Sequence, residues 1–389
     1  MKLVFASDSF KGSLTSKRIS ELLSRAAGEV FGECEIIGIP MADGGEGTVE
    51  AVIDAVNGEM LNTTVHDPLM KSIRASYGKI NDNAAIMEMA QASGLTLIPE
   101  DRRNPLLTTT YGTGELLKAA LDQGFGEIYI AIGGSATNDG GMGFARALGV
   151  EFLDEKGNAL EGRGCDLEKV AHIDTSGIDK RALSAKITVL CDVTNPLCGE
   201  KGATFTFGKQ KGGTPDMLSR LEKGMENYRD VIIREFGADP DKIAGSGAAG
   251  GLGAALKIFL NAEMKSGIET VLDITDFDRK IKGADLIITG EGRSDRSSAC
   301  GKVPCGVGEH GRAAGIPVFA ICGSLGEGYE ELYHHGIRSF ITTVDRPMTL
   351  GEAMDRAEEL YLKAAVRLFR AVYPFSCETT HFMARPTGL

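Results

Sequence analysis

Tryptophan is absent from the 389 residues and tyrosine numbers only 8, which argues against an aromatic stacking platform or a carbohydrate groove. Long apolar runs are missing too. Nothing approaches the ~18 residues that a membrane-spanning helix needs, and the least polar stretch, 243–256, is mostly glycine and alanine. Only four residues separate Lys2 from Ser7, too few for the apolar region of a signal peptide. Basic charge is in deficit: 42 Lys and Arg against 54 Asp and Glu leave a net charge of −12, which disfavours nucleic acid or an anionic membrane as partner. The eight cysteines are scattered without a CxxC pair, so they read as reduced core residues, and the protein is expected in the cytoplasm. Six histidines show neither metal-ligand spacing nor the makings of a Ser-His-Asp triad.

Glycine is what the chain has in excess, 51 residues or about 13% against a usual ~7%. With no collagen-like period, that excess points to loops where backbone approaches another group closely. Five short apolar runs, 3–6, 35–39, 285–289, Val318–Cys322 and 339–343, read as buried parallel strands, several followed by polar turns and helical patterns. Ile19, Leu22, Leu23 and Ala26 recur at helical spacing after the first, and Val49, Val52, Ile53 and Val56 after the second. A last helix is expected over 349–372. Alternation of this kind implies a doubly wound α/β sheet. Between residues 60 and 285 the texture changes: a meander over 61–65, Ser72–Lys79 and 85–89, a helix over 114–121, strands over 127–132 and 184–192, and a helix over 215–235. The expected organisation is a discontinuous five-stranded α/β domain (1–60 and 265–389) with a second α/β domain (61–264) inserted, the active site lying in the cleft between them.

Four polar or glycine-rich segments follow predicted strands, where open α/β sheets bind ligands. In Asp8-Ser9-Phe10-Lys11-Gly12-Ser13, a carboxylate, a hydroxyl and an ammonium share one turn and can hold a metal and an anion; a helix cap explains it as well. Asp43-Gly44-Gly45-Glu46-Gly47 offers amides at a helix start, with carboxylates that would need a cation beside phosphate. Gly133-Gly134-Ser135-Ala136-Thr137-Asn138-Asp139-Gly140-Gly141 has the make-up of an oligophosphate cradle, though it is not a Walker A loop. Gly290-Glu291-Gly292-Arg293-Ser294-Asp295, running on to Gly301-Lys302, adds a guanidinium that can fork onto a phosphate or carboxylate. Asp192, in Cys191-Asp192-Val193-Thr194-Asn195-Pro196, suits metal or substrate at a proline-stiffened turn. Gly245–Gly250 spells GxGxxG but follows no evident strand, so close helix packing is the expected reason for it. Cations, amides and carboxylates around a phosphate are the ingredients of phosphoryl transfer.

Together and in this order, these motifs and Gly112-Thr113-Gly114-Glu115-Leu116 resemble the bacterial glycerate kinase family, over about residues 1–370. The resemblance implies a flavodoxin-like domain carrying an inserted α/β domain, and ATP-dependent phosphorylation of D-glycerate, typically at the 2-hydroxyl. Attack by the 3-hydroxyl at the same site is the near alternative; a non-catalytic sugar-acid sensor and a nicotinamide-dependent dehydrogenase are the distant ones. Carried onto this chain, it implies ATP on Gly133, Gly134, Ser135, Thr137, Asn138, Gly140 and Gly141, and Mg²⁺ on Asp8 and Asp192. Glycerate would lie against Ser9, Asp43, Gly44, Gly45 and Glu291. Lys11 and Arg293 would share its carboxylate and the γ-phosphate, with Asp295 orienting or deprotonating the hydroxyl. No nucleic acid or membrane partner is implied, and a homodimer is compatible with it. The chain departs from the family pattern at Ser7, Lys209 and Ser297, and the tail from Pro374 matches nothing in it and is expected to lack order.

Overall fold

The computed structural model describes residues 1–377, and the tail beyond lies outside the described residues. The chain divides into two compact units, Met1–Asp43 with the chain from Val271 onward, and Gly44–Thr270.

The first unit is built on five parallel strands, Lys2–Phe5, Glu35–Gly38, Leu286–Thr289, Val318–Cys322 and Ile337–Thr342. Numbered along the chain, they lie across the sheet in the order 2-1-3-4-5. Lys2–Phe5 is therefore an inner strand, paired through Leu3 with Leu286 on one side and Ile36 on the other. Its apolar run is explained by burial on both faces. Helix Ser16–Phe31 starts where the Thr15 hydroxyl accepts the Arg18 amide (3.1 Å), and it buries Ile19, Leu22, Leu23 and Ala26. Those side chains pack with Leu3, Phe5, Leu368 and Phe369, and the Phe31 and Phe369 rings lie 5.2 Å apart. Full burial of each aliphatic side chain is worth about 1.5–3 kcal/mol. The expected final helix is two helices, Leu350–Asp355 and Ala357–Cys377, broken at Arg356 (φ −108°, ψ 17°); the second continues through Pro374.

The second unit holds a six-stranded mixed sheet. Its order is Glu263–Lys265, Lys186–Leu190, Glu127–Ala131, Ala84–Glu88, Ser72–Lys79, Glu59–His66, the first four parallel and the last two antiparallel. Helices Tyr111–Asp122 and Pro215–Phe236 contribute to a core that includes Ile128, Ile130, Val189, Phe144, Phe152 and Tyr228. Helix Thr48–Val56 belongs to this unit and not to the first, because the Glu88 carboxylate accepts the Val49 amide (2.8 Å) and the helix packs on the Ser72–Lys79 and Ala84–Glu88 strands. The Gly245–Gly250 stretch is no helix: Ala249 and Gly250 are left-handed (φ 53° and 70°), and the helix begins only at Leu252. Close packing is nonetheless its reason for glycine, since a Cβ at Gly250 would stand 2.0 Å from the Thr137 carbonyl oxygen.

Candidate active site

The ends of the first unit's strands open into a cavity of about 590 Å³, lined by Asp8, Lys11, Asp43, Glu291, Arg293 and Lys302 on its polar side. The sequence order explains the convergence: Asp8 follows the first strand, Glu291 and Arg293 the third. Ser16 ties two of the loops together. Its hydroxyl donates to the Ser7 carbonyl (2.5 Å) and accepts the Met41 amide (3.0 Å). The Asp8 amide donates to the Gly290 carbonyl (2.9 Å), which brings in the third loop. Only glycine fits at 290, where a Cβ would lie 1.9 Å from the Ile321 carbonyl oxygen. Phe10, Val344, Met348, Leu350 and Met354 add apolar lining to the same cavity.

The carboxylates here are electrostatically loaded. Asp8 is buried, and burial first, then the neighbouring Asp43 charge, push its pKa up to about 7. One of its oxygens accepts the Ser9 amide (2.7 Å). Burial likewise raises Glu291, although the Ser294 hydroxyl donates to it (2.9 Å). Lys11 projects into solvent from a tight turn closed by Phe10 N–H to the Leu14 carbonyl (2.8 Å). Arg293 is exposed, with its Nε 3.5 Å from Asp295.

Asp295 itself stands differently from expectation. It does not line the cavity; its carboxylate accepts the amide (3.0 Å) and hydroxyl (2.7 Å) of Ser297 and caps the turn Arg296–Ala299. Those hydrogen bonds hold its pKa below the usual carboxylate value, which suits a cap and not a proton acceptor. Lys302, quoted in the sequence without a role, lines the cavity at the start of helix Val303–Ala313. A lysine directly before a helix that opens Val-Pro was the available signal.

In the second unit, the protein's own carboxylates take amides in or beside both expected phosphate loops. Glu88 accepts amides from Gly47 and Val49 at the start of helix Thr48–Val56, the position an anion was expected to take. Gly44 is buried, and a Cβ there would lie 3.3 Å from Gly267 Cα. Of the 133–141 loop, Gly133 and Gly134 are exposed, whereas Ser135 is nearly covered and Thr137, Asn138, Gly140 and Gly141 are buried. Asp139, wholly buried, accepts the amides of Thr110 (2.7 Å), Gly141 (3.1 Å) and Gly143 (3.2 Å). The Gly140 amide goes to the Gly250 carbonyl (2.9 Å), and Asn138 donates to Thr204 (3.1 Å). A Cβ on Gly141 would stand 2.4 Å from Ala255. Gly140 and Gly141, then, serve internal packing, and their amides are taken by the protein itself. Lys211 is buried beneath this loop, donating to the Thr137 carbonyl (2.6 Å), and burial lowers its pKa to about 7. Asp192 is exposed at the end of Lys186–Leu190 and accepts the Gly267 amide (2.9 Å). The structure thus gathers Asp8, Ser9, Lys11, Asp43, Glu291 and Arg293 in one cavity, while Asp192 and the 133–141 loop are elements of the second unit.

No helix among the described residues is long and apolar enough to cross a membrane. The model of the glycerate kinase family matches residues 3–373. A glycerate kinase from Halalkalibacterium halodurans is 46% identical over 364 residues, covering 93% of this chain and 96% of that one. The glycerate 2-kinase of Escherichia coli K12 is 43% identical over 366 residues, covering 94% and 96%. A crystal structure assigned to a glycerate kinase 2 of Salmonella typhimurium LT2 superposes with a TM-score of 0.87 at 42% identity, covering 96% of this chain and 99% of that one.

Proposed function

The chain belongs to the glycerate kinase family, and from that premise we propose that it phosphorylates the 2-hydroxyl of D-glycerate with ATP, giving 2-phosphoglycerate and ADP. The strand order 2-1-3-4-5 supports reading the first unit as flavodoxin-like, with the second unit inserted after Asp43. The observation that carries the activity is the first unit's cavity, in which Lys11, Arg293 and Lys302 face Asp8, Asp43 and Glu291.

Hard oxygen donors fit a magnesium ion, and Asp8, Asp43 and Glu291 bring three carboxylates to one cavity. Asp43 and Glu291 are the residues to hold it. Bound there with the nucleotide, magnesium supplies neutralisation of phosphate charge. Lys11, Arg293 and Lys302 offset the charge that builds on the transferred phosphoryl group, and one of the three pairs with the glycerate carboxylate. The Asp8 oxygen that does not accept the Ser9 amide takes the proton of the attacking hydroxyl, for which a pKa of about 7 is well matched. As the hydroxyl oxygen bonds to phosphorus, the bond from phosphorus to the departing ADP oxygen breaks.

A coupled assay for ADP on addition of D-glycerate, followed by phosphorus NMR of the product, tests this reading. Glycerate-dependent ADP and a 2-phosphoglycerate resonance are expected. The 3-isomer would overturn the regiochemistry, and tight glycerate binding without ADP release would overturn the kinase.

A further inference from the structure

We propose that Cys305, Glu309 and His335 form a binding site for one divalent ion of the zinc type, separate from the carboxylates of the cavity. Cys305 and Glu309 are four residues apart on helix Val303–Ala313 and so share one face. His335 reaches that face from the chain just after the turn Tyr329–Tyr333, where its amide donates to the Leu332 carbonyl (3.1 Å). Two glycines let the backbones close. A Cβ on Gly308 would lie 2.5 Å from the His335 carbonyl oxygen, and one on Gly336 (φ +97°) would lie 2.3 Å from the Gly308 oxygen.

The thiol sulfur, a carboxylate oxygen and an imidazole nitrogen all lie within 4.8 Å of one another. His335 Nδ1 is 2.8 Å from Glu309 Oε1, and the Cys305 thiol donates to the Ala299 carbonyl (3.4 Å). One sulfur, one nitrogen and one oxygen donor are the ligand types of zinc and its neighbours, whereas magnesium and calcium prefer oxygen alone. Three protein ligands leave a fourth position for water. The Glu309 and His335 side chains are 42% and 29% exposed, which gives the ion an entry path to the buried sulfur. Binding releases the thiol proton to solvent and replaces the Cys305–Ala299 hydrogen bond. Ala299 ends the turn that Asp295 caps, and Lys302 begins the helix that carries Cys305. An ion here therefore bears on the helix that Lys302 begins, and Lys302 lines the cavity.

The test is titration of Co²⁺ into the full-length, reduced, metal-stripped protein. A near-ultraviolet thiolate-to-cobalt charge-transfer band saturating at one equivalent, and its displacement by Zn²⁺, are expected. Cys305→Ser should abolish the band, and Glu309→Gln and His335→Asn should each weaken Co²⁺ by more than about tenfold. Cys300→Ser, at an exposed thiol, should change nothing. Absence of the band, or its persistence undiminished in Cys305→Ser, would overturn the site. If Cys305→Ser does not fold, Glu309→Gln decides alone: unchanged Co²⁺ affinity there would leave only an ion pair beside a spectator thiol.

Discussion

Asp8 carries a conflict that its neighbours impose. Burial and the Asp43 charge hold its proton in the folded state up to about pH 7, whereas an unfolded aspartate loses it near pH ~4. Between those values the folded state binds more protons than the unfolded one, so stability falls as pH rises from about 4 to about 7 and stays lower above. Asp8→Asn should therefore stabilise the metal-free protein at pH 8 by on the order of 1–3 kcal/mol and change little at pH 4. Urea unfolding at the two pH values measures this, and equal shifts at both would refute the burial argument. The same variant should lose most turnover, because the amide cannot accept a proton. In the proposed mechanism Lys11 and Arg293 act through their charge. Replacing either by alanine should lower kcat by about 10²- to 10³-fold, by analogy with other donors that serve the transition state, with folding unchanged since both side chains are exposed. Steady-state kinetics on the two variants checks it, and unimpaired turnover removes the residue from the mechanism.

Loops at helix starts gave the sequence reading most of its chemistry, and they divide into two kinds. Those of the first unit line a cavity, with Lys11 and Arg293 exposed and Asp8 and Glu291 buried. Those of the second unit are closed by Glu88 and Asp139, which take the amides an anion would otherwise use. Gly141→Ala separates the readings. At φ +74°, with Ala255 2.4 Å from a new Cβ, the substitution should cost about 2–4 kcal/mol in stability. The ATP KM of the folded enzyme should stay within about twofold, since on this reading Gly141 makes no contact with the nucleotide. Thermal melts and ATP titrations check both halves; an unchanged melt with a large KM rise would restore the phosphate cradle. The three inner strands of the first unit were readable because burial on both faces demands unbroken apolar runs such as Leu3-Val4-Phe5, and the two half-exposed edge strands, Glu35–Gly38 and Ile337–Thr342, through their Ile-Ile and Phe-Ile pairs. Glu263–Lys265 was not, since three residues with two charges show no period. The filling of the 133–141 loop by its own Asp139 was likewise hidden. Composition shows glycines and hydroxyls, but which group takes their amides depends on a fold that brings Thr110 and Gly250 alongside. Asp295 and Ser298 stand at capping-box spacing, a local signal for the cap that the structure shows.

The two units differ in how the chain enters them. Gly44–Thr270 is continuous, with its own sheet and a buried core running from Val65 to Ala262. The first unit is assembled from two pieces distant in sequence, and its sheet cannot close without the earlier one. Lys2–Phe5 sits inside the sheet, hydrogen-bonded to Leu286–Thr289 and Glu35–Gly38. Helix Ser16–Phe31 supplies Ile19, Leu22 and Leu23 to the same core as Leu368 and Phe369. Removing residues 1–43 would leave Leu286–Thr289, a fully buried apolar strand, as an open edge. Residues 44–270 expressed alone should unfold in urea as one cooperative transition, because one continuous core spans the segment. Residues 271–389 alone should not, whereas the same segment joined to residues 1–43 by a short flexible linker should regain a cooperative transition. Circular dichroism against urea distinguishes the three polypeptides. A cooperative fold in the isolated 271–389 segment would mean that the three C-terminal strands suffice, and that the inner position of Lys2–Phe5 is not what holds the first unit together.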